Sequence, residues 1–90
     1  MRIKIIIKKR EVKINLFQAE KLFDEIIFSE ANNISEKLLP SIDKILKRHR
    51  LSPKEIKRID LETDLAESYT TYRIAKATAD AFNWAVNNVE

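Results

Sequence analysis

The 90-residue sequence contains no glycine, no cysteine and only two prolines. Average usage would supply about six glycines in a chain of this length. A loop that cradles phosphate needs glycine where the backbone must approach the ligand closely. A P-loop and a Rossmann dinucleotide fingerprint are therefore both excluded. The lack of cysteine excludes disulfides and thiolate chemistry. Long hydrophobic runs are missing too: the N-terminal segment has only Ile5, Ile6 and Ile7 in succession, too few for a signal peptide or a membrane span. The expected location is the cytoplasm. What is present is globular in character, with 44% hydrophobic and 34% charged residues. The length predicts one domain over residues 1–90. Seventeen cations face fourteen anions, for a net charge of +3 and a pI near 9.3, a mildly basic and mixed surface.

Hydrophobic periodicity orders the chain. Ile3, Ile5 and Ile7 alternate with Lys4 and Lys8, and Val12, Ile14 and Leu16 alternate with Lys13 and Asn15. Period two predicts two half-buried strands, with Lys8–Glu11 as a hairpin connection that lacks the Asn-Gly signature. Residues 21–28, with Leu22, Phe23, Ile26, Ile27 and Phe28 around Asp24 and Glu25, predict a third strand. Asn32 and Asn33 then punctuate the chain, and Asn33 followed by Glu36 suggests a variant capping box. The helix after it carries Ile34, Leu38, Leu39, Ile42, Ile45 and Leu46, an apolar arc of roughly 140°. Pro40 lies on its polar side, so a kink is expected there and not a stop. Leu51-Ser52-Pro53 ends this helix, and Ser52–Ile56 suits a short helical turn. Ile59 and Leu61, alternating with Asp60 and Glu62, predict a fourth strand; residues 63–67 read as a loop.

A last helix is expected from an N-cap at Ser68 to about Asn88. Ile74, Ala77, Thr78, Ala81 and Ala85 form one stripe, and Ala75, Ala79, Phe82 and Val86 a second beside it. With Trp84 and Val89 the non-polar arc reaches roughly 220°, where a helix on one sheet needs only about 100°. The surplus has to cover the first helix or a partner. The predicted order is βββ-α-β-α.

Residues 35–86 resemble the N-terminal lobe of the TsaB (YeaZ) family. The run Ser35-Glu36-Lys37-Leu38-Leu39-Pro40-Ser41-Ile42-Asp43 is similar to the family's first helix, mid-helix proline included. Leu51-Ser52-Pro53-Lys54-Glu55-Ile56 is similar to its next turn. Ser68-Tyr69-Thr70-Thr71-Tyr72-Arg73-Ile74 keeps the Ser-aromatic-Thr-x-x-Arg skeleton that follows its glycine-rich loop, and Ala77-Thr78-Ala79 with Trp84-Ala85 continue its small-residue helix. The match departs from the pattern where nucleotide chemistry would sit. Leu65 and Glu67 fall on loop glycines, Ala66 on the proline and Thr71 on a later glycine, while Ile7, Lys8 and Lys9 occupy the region of the usual first-strand acid.

The resemblance implies an α+β fold: a single ribonuclease H-like (actin/Hsp70-ATPase-like) lobe, a mixed sheet with two helices packed on one face. It also implies a non-catalytic helper in tRNA threonylcarbamoyladenosine modification, which pairs through its two helices with a TsaD-like catalytic subunit or with a second copy of itself. Leu39, Leu46, Tyr72, Ala75, Ala79, Phe82 and Val86 are the candidate partner-interface residues. No catalytic residue, metal site or nucleotide cofactor is expected.

Three other features have chemical readings. Asp60, Glu62, Asp64 and Glu67 could hold a metal for phosphodiester cleavage, but that needs a first-strand acid; a solvated loop with helix-start acids is the simpler account. His49 lies on the apolar arc with no orienting acid legible nearby, which suits a partly buried helix-end role. Lys47, Arg48, Arg50, Lys54, Lys57 and Arg58 could touch tRNA phosphates, or form an ordinary solvated face. No aromatic interleaves these cations in the sequence, so base stacking has no support. A small basic nucleic-acid-binding domain and a residual nucleotide-binding module are the rival readings.

Overall fold

The structure, a computed structural model, describes residues 1–30 and 33–87. Its elements are β1 (Arg2–Lys8), β2 (Glu11–Gln18), β3 (Lys21–Ser29), α1 (Ile34–Arg48), a single 3-10 turn (Pro53–Glu55), β4 (Arg58–Thr63) and α2 (Thr70–Asn87). The strands form one mixed sheet in the order β3-β2-β1-β4, antiparallel except for the parallel β1–β4 pair. Alternation decides which way each strand faces. Ile3, Ile5, Ile7, Val12, Ile14, Leu16 and Ile59 all turn to one side and are buried there under Ile34, Leu38, Ile42, Ile45 and Leu46 of α1 and Ala75 and Ala79 of α2. Both helices thus cover one face, as expected for the α+β lobe. The other face carries ion pairs: Lys8 and Lys4 reach Glu62 at 3.0 and 3.7 Å, and Lys13 reaches Glu11 at 3.6 Å.

With no glycine available, non-glycine residues take the left-handed turn positions. Lys9 and Arg10 close the β1–β2 hairpin at φ 52° and 62°, the two-positive-φ pattern that Asn-Gly favours. Ala19 begins the β2–β3 connection at φ 57°. Arg50, at φ 54°, follows α1 in a Schellman arrangement: the Leu51 N–H bonds the Leu46 carbonyl and the Arg50 N–H the Lys47 carbonyl.

At the start of α1 the Asn33 side chain accepts from the Ser35 N–H at 3.2 Å and from the Ser35 hydroxyl at 2.6 Å. Asn32 lies outside the described residues. The helix runs through Pro40, which is exposed, so the missing hydrogen bond lies on the solvent side. The 3-10 turn is tied by the Glu55 carboxylate, which accepts from the Ser52 N–H at 2.7 Å. One boundary differs from expectation. Ser68 does not start α2; it sits in a turn closed by Tyr69 N–H to the Ala66 carbonyl, and the Tyr69 carbonyl accepts the first helical bond, from Arg73. The expected end at Asn88, and Val89, lie outside the described residues.

Candidate partner-binding face

The two helices lie side by side on the sheet, and their outer surfaces are apolar over part of their length. α2 explains why its non-polar arc is so wide. The stripe of Ala75, Ala79, Phe82 and Val86 turns inward: Ala75 and Ala79 are 0% and 4% exposed, and Phe82 and Val86 are half-buried. In the other stripe Ala77, Ala81 and Ala85 are exposed, while Thr78 is half-buried and Ile74 packs against the core from the side. The small alanines let α2 approach the sheet closely, so the inner stripe serves the core.

That placement divides the seven candidate interface residues. Leu39 is 59% exposed on α1. Tyr72, Phe82 and Val86 are half-buried and reach the surface in part. Leu46, Ala75 and Ala79 are buried within the chain and are not available to a partner, because they fill the space between helices and sheet. Trp84, 69% exposed, and the outer alanines add exposed apolar surface on α2. Beside them an apolar hollow of about 490 Å³ is lined by Ser52, Pro53, Lys54, Phe82, Ala85 and Val86. The turn after α1 and the last turns of α2 build it together, which sequence spacing alone could not reveal.

His49 proves to have an acid after all. Its Nε2 lies 2.7 Å from the Asp24 carboxylate, which also takes Arg48 at 2.8 and 3.1 Å. A bulge makes this meeting possible. Leu16 pairs with Asp24 but Phe17 pairs with Leu22, so Phe23 is an extra residue in β3. Without it Phe23 and Asp24 would point to opposite faces. With it, Phe23 sets its ring 4.8 Å from the His49 imidazole while Asp24 takes the imidazole edge. Burial works to raise the Asp24 pKa, but bonds from His49, from the Glu25 N–H and from Arg48 prevail and hold it below the usual value of 3.8. Asp24 and Phe23 are the polar and aromatic partners of the imidazole. The cluster reads as a tether between β3 and the end of α1.

The acidic segment is dispersed. Asp60 pairs with Arg58 at 2.6 Å and Glu62 with Lys8, whose ammonium lowers the Glu62 pKa. Among the described residues no three carboxylates or histidines gather where they could hold a metal. The basic stretch is similarly divided. Lys47, Arg48 and Arg58 have acidic partners in Asp43, Asp24 and Asp60, whereas Arg50, Lys54 and Lys57 are exposed, with no ion pair among the described residues. At the opposite end of the sheet, where the resemblance puts the glycine-rich loop, Leu65 packs against the core and Thr71 donates to Glu30 at 2.9 Å. No helix of the described residues is long and apolar enough to cross a membrane.

No family model and no curated protein matches the sequence. Solved structures do match in fold. YeaZ from Pseudomonas aeruginosa superposes with a TM-score of 0.75 at 13% identity, over 97% of this chain and 41% of that one. A second structure from P. aeruginosa, of an uncharacterized protein with similarity to peptidase YeaZ, gives 0.75 and 13%, over 97% of this chain and 40% of its own. The chain therefore has the fold of part of YeaZ and spans about two-fifths of the length of these neighbours.

Proposed function

We propose that this chain is a TsaB-like binding lobe. It docks through the outer face of its two helices onto a TsaD-like catalytic subunit in tRNA threonylcarbamoyladenosine modification, and performs no chemistry itself. The observation that carries the reading is the exposed apolar surface of the helices, Leu39 on α1 and Trp84 with the Phe82–Ala85–Val86 hollow on α2, on a fold similar to that of YeaZ. Large apolar side chains so exposed suit a protein contact, and aromatic anchors in particular are enriched at such contacts. The lobe works without nucleotide in this reading, because Leu65 and Glu67 stand where the resemblance expects glycine.

Mixing the chain with TsaD from the same source and weighing the complex by light scattering tests the proposal. Stable heterodimers that are lost in Leu39→Glu and Trp84→Glu, with the fold retained, are the expected result. No complex with TsaD, together with a strict monomer at every concentration, would overturn it. One observation favours a second reading, weak tRNA contact. Lys54 lines the hollow together with Phe82, and Arg50 and Lys57 lie within a few residues of it along the chain, so the fold brings an aromatic to a cation that has none near it in the sequence. A tRNA shift at moderate salt that disappears when the three cations are replaced by Ser would establish it.

A further inference from the structure

We propose that Phe23 is a stacking seat for an unpaired base of RNA, with Lys21 and Arg50 meeting the phosphates on either side of that base. The proposal rests on the tRNA-contact reading and says where a base would sit. It starts from the bulge in β3. Phe23 is the residue that the pairing with β2 leaves over. Bulges re-aim a side chain and recur next to functional sites. Here the bulge turns the Phe23 ring toward the end of α1, where it meets the His49 imidazole at 4.8 Å and an interplanar angle of 54°.

The core does not account for this placement. Ile26 and Phe28, further along β3, pack against the buried cluster, whereas Phe23 stands apart from it and is 48% exposed. The ring is held all the same. His49 lies against it, and the imidazole is itself fixed by Asp24 at 2.7 Å and by its place as the C-cap of α1. A ring held in place and half open to solvent suits a base, because every base has a π face and a fixed ring loses little freedom when one stacks on it.

Charge favours nucleic acid over an apolar protein segment as the occupant. The Asp24 carboxylate beside the ring is engaged by Arg48 and His49. Lys21 pairs with Gln18, which alternation from Leu16 sets on the helix side of the sheet, the side that Phe23 faces. Arg50 follows His49 directly. Both cations are exposed, and among the described residues neither has an ion pair. Against them stands Glu20, unpaired among the described residues, in the turn before Lys21. Leu22 pairs with Phe17 and faces the other side of the sheet, so it adds no apolar surface next to the ring. Bases stacked on aromatics, with cations along the phosphates, are how proteins take single strands. No aromatic stands among the cations of residues 47–58 in the sequence; the fold brings this one from β3.

The test is the binding of a fluorescein-labelled single-stranded RNA of about ten nucleotides, read by fluorescence anisotropy at low and at moderate salt. Phe23→Ala should weaken binding by about five- to a hundredfold at both salt concentrations, and Phe23→Trp should bind at least as well as the native chain. An abasic strand with the same phosphates should bind the native chain and Phe23→Ala alike. Lys21→Ser and Arg50→Ser should each reduce the slope of log affinity against log salt by about 0.7. Phe23→Leu keeps apolar bulk without the aromatic face; it should bind as weakly as Phe23→Ala, and it carries the test if the alanine variant does not fold. Unchanged RNA affinity in these two variants, or a native chain that does not bind the single strand, overturns the base seat. The tRNA reading survives either result if replacing Arg50, Lys54 and Lys57 by Ser still abolishes a tRNA shift, and falls as well if the native chain gives no shift. If Phe23→Ala weakens binding to TsaD and leaves RNA affinity as it was, the ring is a protein contact and the proposal is wrong.

Discussion

Replacing Ala79 with glutamate separates a core helix face from a docking face. Ala79 is 4% exposed, wedged between α2 and the sheet in the cluster that includes Ile59 and Ala75. A glutamate there has no cation to meet in that cluster. An uncompensated buried charge costs about 3–5 kcal/mol, and forcing extra atoms into a packed contact costs about 1–3 kcal/mol more. A domain of 90 residues is stable by only about 5–13 kcal/mol, so the variant stands close to unfolding. With a urea m-value of about 1–2 kcal/mol/M, its midpoint should fall by about 2 M or more, or the transition should vanish. Leu39→Glu, at a position 59% exposed, should change stability by no more than about 0.5 kcal/mol while removing an apolar side chain from the outer face. Urea titration followed by circular dichroism reads both. If Ala79→Glu melts like the native chain, the inner and outer stripes of α2 are exchanged and the docking face has been placed on the wrong side. If Leu39→Glu costs as much as Ala79→Glu, Leu39 belongs to the core.

Three further outcomes follow from local geometry. Arg50→Gly should stabilise the chain by about 0.5–1 kcal/mol, because glycine takes the left-handed C′ position of a Schellman motif without the steric cost that arginine bears at φ 54°; a loss of thermal stability would contradict that assignment. Replacing Lys9-Arg10 with Asn-Gly should also stabilise, by about 1 kcal/mol, since both residues hold positive φ in a two-residue hairpin; an unchanged or lower urea midpoint would argue against this turn. Asp24→Asn should lower stability by about 1–2 kcal/mol at pH 7 by weakening the bonds to His49 and Arg48. The folded pKa of Asp24 is depressed, so its contribution is complete above the unfolded carboxylate value of about 3.9 and is lost as pH falls through the lower folded value. The gap between native and variant midpoints should therefore close in acid, and a gap that is constant from pH 7 to strongly acid solution would exclude Asp24 as its source.

The elements and their faces were legible in the order of residues alone. Period-two alternation in β1, β2 and β4 and the arc of Ile34, Leu38, Ile42 and Ile45 report burial directly, because a side chain's direction within one element depends only on local geometry. The resemblance supplied the lobe and its one-sided helices. The width of the last helix showed that two surfaces had to be covered, but not which stripe covered which. Only tertiary structure decided that, since both stripes are apolar and the choice rests on how α2 sits against β4. The same limit hid the Asp24–His49 tether: the two residues are 25 apart and meet through a bulge at Phe23 that breaks the alternation the sequence reading relied on. It hid the Asn83 clamp on Ile59 as well, where a helix side chain bonds both backbone groups of a strand residue 24 positions away. Contacts within an element follow from spacing along the chain. Contacts between elements follow from where packing sets them, and in this protein those contacts separate the docking face from the core.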